Sequence, residues 1–535
     1  MAYPVIDMSQ PSAISPAALS AEPSASAAQT DVYAIHGADP EVLAYAMAKY
    51  SRSALSMKES LSEISSQRAE QFLNTFYFQY GHRSIADLAH IPFAIERLSL
   101  LAAIELVDEQ RWDGQERSTR YQNFRKSGWF TPELSGEARV SYTRSIEALF
   151  AAYDEIGAGM LEALKGAIPR PPEMKDESYL RTLKARAFDV ARYVLPLATN
   201  TSLGQIVSAR TLEIQISRLL SSEFAEVRAL GERLRQAAAS PAWNVGQAEA
   251  RVLCSEALSV NETYGERLQN ILLREVKTAP TLVKYATPND YAITTRTELR
   301  TAAAELMAGQ AIDPAPVVDL VEDAGSLEVE LATSLLYTES HYSWRQIQRT
   351  VESLSASRIA ELVALGTKHR GRHDELLRAF SAGQSFKFDV LMDIGGFRDM
   401  HRHRRCVQLI QDYTTLHGYD EPVCPGQPSL AEAGLERTYA AAMEAAHASY
   451  HATSGGAGAE NAAYLLPLGT RVRAMFKMDF AEALYIAELR STVAGHFSYR
   501  RVAWEMYQAV AHRHPALAGY FRIEDVNQPI DLLQR

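Results

Sequence analysis

Cysteine, basic charge and long apolar runs are all scarce in this 535-residue chain, and each shortage excludes a class of protein. Its three cysteines, Cys254, Cys406 and Cys424, have no metal-ligand spacing and cannot form an even disulfide framework. No metal site is therefore expected, and a reducing cytoplasm is the simplest compartment. Acidic residues outnumber basic ones, 65 to 54, for a formal net charge of -11. A protein that grips nucleic acid would carry the opposite surplus, although local basic clusters can still hold small anions. No segment approaches the roughly 18 uninterrupted apolar residues that a membrane-spanning helix requires. Residues 1–30 are rich in Ala, Ser and Pro and lack both the basic start and the apolar core of a secretory signal. They read as a disordered leader.

What remains is a globular chain, 47% hydrophobic and 22% charged, long enough for several domains or for one large domain built of repeats. A helical pattern starts at Pro40, with Asp39 as its expected N-cap, and runs through Leu43, Met47, Leu55, Leu61 and Ile64. Phe72, Phe76 and Phe78 extend it. Residues 91–101 are the best early strand, because Pro92 suits an edge and the apolar density is high. Helices are expected over 136–164, 177–193 and 208–237, the first two separated by Pro169, Pro171 and Pro172. Between 278 and 323 the composition shifts to Pro, Thr and Asp, which places a boundary there. Similar dipeptides and tripeptides then return: Leu43-Ala44 as Leu331-Ala332, Gly81-His82 as Gly371-Arg372, and Leu195-Pro196-Leu197 as Leu466-Pro467-Leu468, about 270 to 290 residues later. The expected organisation is α+β in two tandem halves, 31–290 and 291–535, each of helices around a small antiparallel sheet.

Two motifs carry chemistry. Glu116-x-Ser118-x-Arg120-Tyr121 sets a carboxylate, a hydroxyl, a guanidinium and a phenol within six residues. Such a loop suits a nucleotide monophosphate, since Arg120 can fork onto phosphate oxygens while Ser118 and backbone N–H groups donate beside it. Taken alone it also describes an ordinary polar surface. Arg398, His401, Arg402, His403, Arg404 and Arg405 crowd six basic groups into eight positions next to an apolar segment, and such a cluster calls for an anion. If that segment is extended, Arg402 and Arg404 face one side and His403 the other. His82 sits after a glycine in a loop that can present an imidazole to a ligand. Arg210 and Arg490 lie on amphipathic helices, where arginines are ordinarily exposed or paired.

In this order the motifs resemble the flavin-dependent thymidylate synthases, whose signature R-H-R-x-x-S-x-N-E-x-S-x-R-Y follows a G-H-x-S/T-x-x-E-H loop. The first half matches the loop as Gly81-His82-Arg83-Ser84, with Asp87 at the acidic place, and the signature's end as Glu116 to Tyr121. Where R-H-R belongs it has Asp108-Glu109-Gln110 or, with a small shift, Gln110-Arg111-Trp112, and Gln115 replaces the asparagine. The second half restores Arg402-His403-Arg404 but lacks E-x-S-x-R-Y. Ala209-Arg210-Thr211-Leu212 and Glu488-Leu489-Arg490 likewise divide the family's later helix motif. The resemblance implies a site shared between subunits, a homo-oligomer (dimer or tetramer), and reductive methylation of dUMP to dTMP with methylenetetrahydrofolate and NADPH. It implies FAD held by His82, Ser84, Arg210, Arg402, His403 and Arg404. It also implies dUMP held by Glu116, Ser118, Arg120, Tyr121 and Arg490, the last of these catalytic. The divided signature leaves a second expectation open, a flavin- or nucleotide-binding paralogue with a changed substrate. Asp108, Glu109 and Asp113 would repel a flavin phosphate, which suggests that one type of site has been abandoned.

Overall fold

A computed structural model of the chain describes residues 33, 35, 37–49, 56–63, 83–321, 326–371, 374 and 376–533. The leader 1–30, Leu55, Ile64, Phe72, Phe76, Phe78, Gly81, His82 and Arg372 lie outside the described residues. All elements below belong to one unit, Asp39–Arg535. Its first helix is Pro40–Lys49. Asp39 takes the cap position expected of it, its carbonyl accepting the N–H of Leu43 at 2.9 Å, while its carboxylate receives two N–H groups of Arg274 at 2.7 and 2.9 Å, so the side chain serves an ion pair.

The expected early strand is β1, His90–Ser99. It ends two residues sooner than expected because Ser99 caps the next helix, Leu100–Val107, its hydroxyl accepting from the N–H of Ala102 at 2.9 Å. β1 pairs antiparallel with β3, Asn200–Ser208, which also pairs with β2, Asp113–Glu116. The order β1-β3-β2 puts Pro92 on an edge strand, where its missing N–H costs no ladder bond. Two long helices, Gly136–Ala167 and Asp176–Ala191, intervene between β2 and β3. The single helix expected over 208–237 is two, Ala209–Leu220 and Ala225–Ala239. Ser221 breaks the run, its N–H and hydroxyl both turning back to the carbonyl of Ser217.

The same order recurs later in the chain. β5, Phe386–Asp393, leads straight into the helix Ile394–Met400, and β6, Val407–Ile410, follows a turn. Then come the helix Glu436–Ala457, β7, Arg471–Met478, and the helix Phe480–Ser491. With β4, Val318–Leu320, these strands form a second antiparallel sheet of order β4-β5-β7-β6. The registers correspond: Glu116 faces Leu203 as Ile410 faces Ala474, and each partner lies at the same distance past its Leu-Pro-Leu segment. Counting back equally from Glu116 and Ile410 reaches Asp108-Glu109-Gln110 and Arg402-His403-Arg404. The two Leu-Pro-Leu segments bond to each other. Leu197 donates to the Leu466 carbonyl and Leu468 to that of Leu195, both at 2.9 Å. One apolar core spans both sheets, and a smaller one gathers the helices of 290–365.

Gly114 on β2 is a packing requirement. A Cβ there would lie 2.4 Å from the carbonyl oxygen of Gly204 and 2.5 Å from the Trp112 ring. Gly114→Ala is expected to lower unfolding stability by about 2 kcal/mol, read by chemical denaturation, because backbone on one side and a buried indole on the other leave no route for relief.

Candidate active site

The segment 401–405 forms a turn between the helix Ile394–Met400 and β6 rather than an extended strand, so the expected alternation of faces does not hold. Pairing within the turn replaces it. His401 is buried and donates from Nδ1 to the Gln408 side-chain oxygen at 2.7 Å, while Gln408 donates to the His403 carbonyl at 2.8 Å. Burial pulls the His401 imidazole down to about 4, against the pull of Asp108, so it stays neutral at neutral pH. His403 is lowered too, chiefly by burial. Its Nε2 accepts from Arg490 Nε at 2.8 Å, which assigns the ring proton to Nδ1, 3.6 Å from Glu482.

Glu116 ends β2 and is buried where the two chain segments meet. It accepts from Arg398, also buried, and lies 3.6 Å from Arg402. The carboxylate of the first motif thus contacts arginines of the basic cluster, whose own residue at the matching strand position is Ile410. Arg404 packs over the Trp112 ring at 5.0 Å and donates to the His401 carbonyl at 3.0 Å. Burial lowers its guanidinium to about 10, still charged at neutral pH. Arg398, Arg402, Arg404, Glu116 and His401 line a cavity of about 10 Å³. Three guanidiniums there face one carboxylate, and Arg398 Nε and Arg404 Nη2 are buried with no hydrogen-bond partner among the described residues.

Arg120 takes a different place from the one its motif suggested. Its guanidinium donates to Asp189 at 2.8 and 3.3 Å, to the Tyr499 hydroxyl at 2.9 Å and to the Ala494 carbonyl at 3.2 Å. Burial works against its charge, but Asp189 and its other neighbours outweigh that and raise its pKa. Ser118 accepts from the Arg120 N–H at 3.2 Å, and Tyr121 is 57% exposed. Arg490 also donates to the Asp399 carbonyl at 2.7 Å and stands 5.3 Å over the Tyr499 ring, which brings it beside Arg120. Asp399 is half-buried, and Arg192, Arg402, Arg490 and Arg120 outweigh the effect of that burial and hold its carboxyl below its usual value.

Arg210 lies elsewhere in these contacts. It opens the helix Ala209–Leu220 and donates to Asp87 at 3.1 Å, joining two motifs of the first half. Ser84 belongs to the short turn Arg83–Leu88, and His82 lies outside the described residues. Sequence reading missed Asp189, Arg192, Asp399, Tyr499 and Trp112 as neighbours of the motifs. None carries a local pattern, since long-range packing alone brings them in.

A cavity of about 930 Å³ is lined by none of the expected site residues. It begins beside Asp108 and Glu109, the positions that register matches to Arg402 and His403. Nine carboxylates, four arginines and one histidine line it. Arg378 donates to Asp108 at 2.5 Å, Arg218 to Glu109 at 2.9 Å and Arg300 to Asp412 at 3.1 Å. Burial would raise the Asp108 carboxyl, but Arg378, His401 and Arg218 together hold it down to about 2. Burial raises Glu105 and Glu339 to about 7.

That shift gives a prediction. The folded Glu339 carboxyl binds a proton between its ordinary value of 4.5 and about 7, whereas the unfolded one does not, so its share of stability is lost as pH climbs through that window. Glu339→Gln is therefore expected to be more stable than the parent by up to about 3 kcal/mol at pH 8 and little different at pH 5, measured by denaturation at both pH values.

Among the described residues no helix is long and apolar enough to cross a membrane, and no cluster of metal-ligating side chains is present. The family model of the thymidylate synthase complementing protein matches residues 34–240 and 322–516. A UPF0159 protein of Chlamydia muridarum is 27% identical over 531 residues, 91% of each chain. A flavin-dependent thymidylate synthase of Clostridium tetani is 22% identical over 241 residues, 42% of this chain and 93% of that protein. A solved Helicobacter pylori flavin-dependent thymidylate synthase, described as complexed with FAD and dUMP, matches at 16% identity over 37% of this chain and 89% of that one, with a TM-score of 0.23. A score that low carries no statement about the fold.

Proposed function

The chain belongs to the thymidylate synthase complementing protein family, and from that premise we propose that it is a flavin-dependent thymidylate synthase built of two fused halves, 31–290 and 291–535. It acts in the cytoplasm, converting dUMP to dTMP with methylenetetrahydrofolate and NADPH. The family model matching twice, and a relative whose near-complete length aligns with less than half of the chain, support the duplication. So do the recurring strand and helix order and the bonded Leu-Pro-Leu segments.

One observation carries the functional reading: Glu116 of the half that lost R-H-R is bonded to Arg398 and faces Arg402 of the half that lost E-x-S-x-R-Y. The two halves together supply one signature. Unpartnered buried N–H groups on Arg398 and Arg404, with an excess of guanidinium over carboxylate, fit an anionic ligand such as the phosphates of FAD or dUMP. In this reading Arg402, His403 and Arg404, with Arg210, Ser84 and His82, hold FAD. Glu116, Ser118, Arg120, Tyr121 and Arg490 hold dUMP. Once reduced by NADPH, the bound flavin would supply the hydride. Neutral His403 keeps Arg490 in place without adding charge, and Arg490 meets the pyrimidine as the catalytic residue. A cavity of about 10 Å³ admits little more than one water, so planar rings lie outside it, and a second copy of the chain, in a dimer or tetramer, completes their wall.

Incubating the FAD-loaded chain with dUMP, methylenetetrahydrofolate and NADPH tests the reading, with dTMP measured by chromatography. The expected result is product from the parent and at least a tenfold loss in Arg402→Ala. No product from the parent would refute it. The network around Arg120 favours the second reading, a flavin-binding paralogue with a changed substrate, because Asp189, Tyr499 and Ala494 already occupy the guanidinium proposed for the nucleotide. That paralogue would retain FAD and make no dTMP.

A further inference from the structure

The 930 Å³ cavity begins at the register counterpart of the R-H-R turn, yet its charge is reversed. Around Arg404 guanidiniums exceed carboxylates, whereas here nine carboxylates exceed four arginines. Three of those arginines are already paired: Arg378 with Asp108, Arg218 with Glu109, and Arg300 with Asp412. Little is left to meet a phosphate. Two of its buried acceptors, and beside them His341 Nδ1, have no hydrogen-bond partner among the described residues. Gln411 is 2% exposed, and its amide nitrogen is fixed by the carbonyls of Tyr337 and Tyr342 at 3.1 and 3.0 Å. Its Oε1 has no donor among the described residues. The Glu339 side chain is 8% exposed, and its Oε2 has no hydrogen-bond donor among the described residues, with Arg300 nearest at 3.6 Å. Phe224, Tyr413 and Tyr450 add aromatic walls.

We propose that this cavity is a second ligand site, distinct from the flavin and nucleotide site, for a drug-sized organic cation with an aromatic or heterocyclic body and N–H donors. The volume suits such a molecule, the surplus carboxylates balance its charge, Gln411 Oε1 and Glu339 Oε2 accept its N–H groups, and the rings pack against its face. A nucleoside monophosphate is the wrong charge for it. The site goes beyond the synthase reading and does not depend on it.

Titration of the full-length protein with 9-aminoacridine, a planar aromatic monocation, followed by fluorescence without flavin or nucleotide, tests the proposal. Saturable one-to-one binding is expected, at least tenfold weaker in Glu223→Gln/Glu339→Gln, a pair that leaves Arg300 its partner Asp412. Glu339→Gln alone, expected to fold at least as well as the parent, should weaken binding about threefold. A control, Glu147→Gln/Glu249→Gln, removes the same charge from exposed helix positions and should bind like the parent. No saturable binding, equal binding in the cavity variants, equal loss in the control, or displacement of the dye by dUMP would overturn the assignment. Since no flavin is present, the protein can fail here and still make dTMP, or the reverse.

Discussion

Arg404→Ala is expected to strip the protein of FAD, weakening retention by about 100-fold, the equivalent of roughly 2.7 kcal/mol. Arg404 is anchored by Trp112 and the His401 carbonyl, and its Nη2 is buried without a partner among the described residues. A charge-assisted hydrogen bond to a phosphate oxygen in such surroundings contributes about 1.5 to 3 kcal/mol, and the lost cation adds to that. The flavin-to-protein absorbance ratio after gel filtration reads the effect. Arg404→Lys separates charge from geometry, since a lysine keeps the cation and lacks the planar fork, and partial retention is expected. Full flavin content in Arg404→Ala would remove this residue from the site.

Glu116→Gln is expected to cost the fold about 3 to 5 kcal/mol, because it leaves Arg398 as a buried charge without its carboxylate. Chemical denaturation of the variant reads the loss. Replacing both partners, as Glu116→Gln/Arg398→Met, should recover most of it, since the desolvated cation goes with its counter-ion. This cycle also probes the junction itself. The two residues stand on segments that join the two sheets, so their coupling energy measures how strongly the first segment's carboxylate and the second's arginines hold together. Single changes that simply add would mean that the contact contributes nothing.

Apolar density and proline signals made β1 and the long helix Gly136–Ala167 legible, because both act locally. Boundaries were less so. Ser99 reads equally as the end of a strand or the cap of a helix, and only the hydrogen bond to Ala102 decides it. The motif segments were found by residue type, but the contact of Glu116 with Arg398 and Arg402 was not legible, because only the packing of distant segments makes it. The partners of Arg120 were not legible, because Asp189 lies inside an amphipathic helix and Tyr499 far along the chain, with no local signal linking either to the motif. The turn at 401–405 was equally hidden, since the bonds among His401, His403 and Gln408 that define it form only after β6 is placed. The large acidic cavity had one partial sign, the replacement of R-H-R by Asp108-Glu109-Gln110. Its other walls come from segments distant in sequence.

The most direct measurement is the visible absorption spectrum of the FAD-loaded protein during a dUMP titration, because a pyrimidine stacking on the flavin must perturb its bands. A saturable change in the parent, weakened at least tenfold in Arg490→Ala, is the result that a composite synthase site requires. A yellow protein indifferent to dUMP would contradict the synthase and leave the altered-substrate paralogue, and a protein that holds no FAD would contradict both.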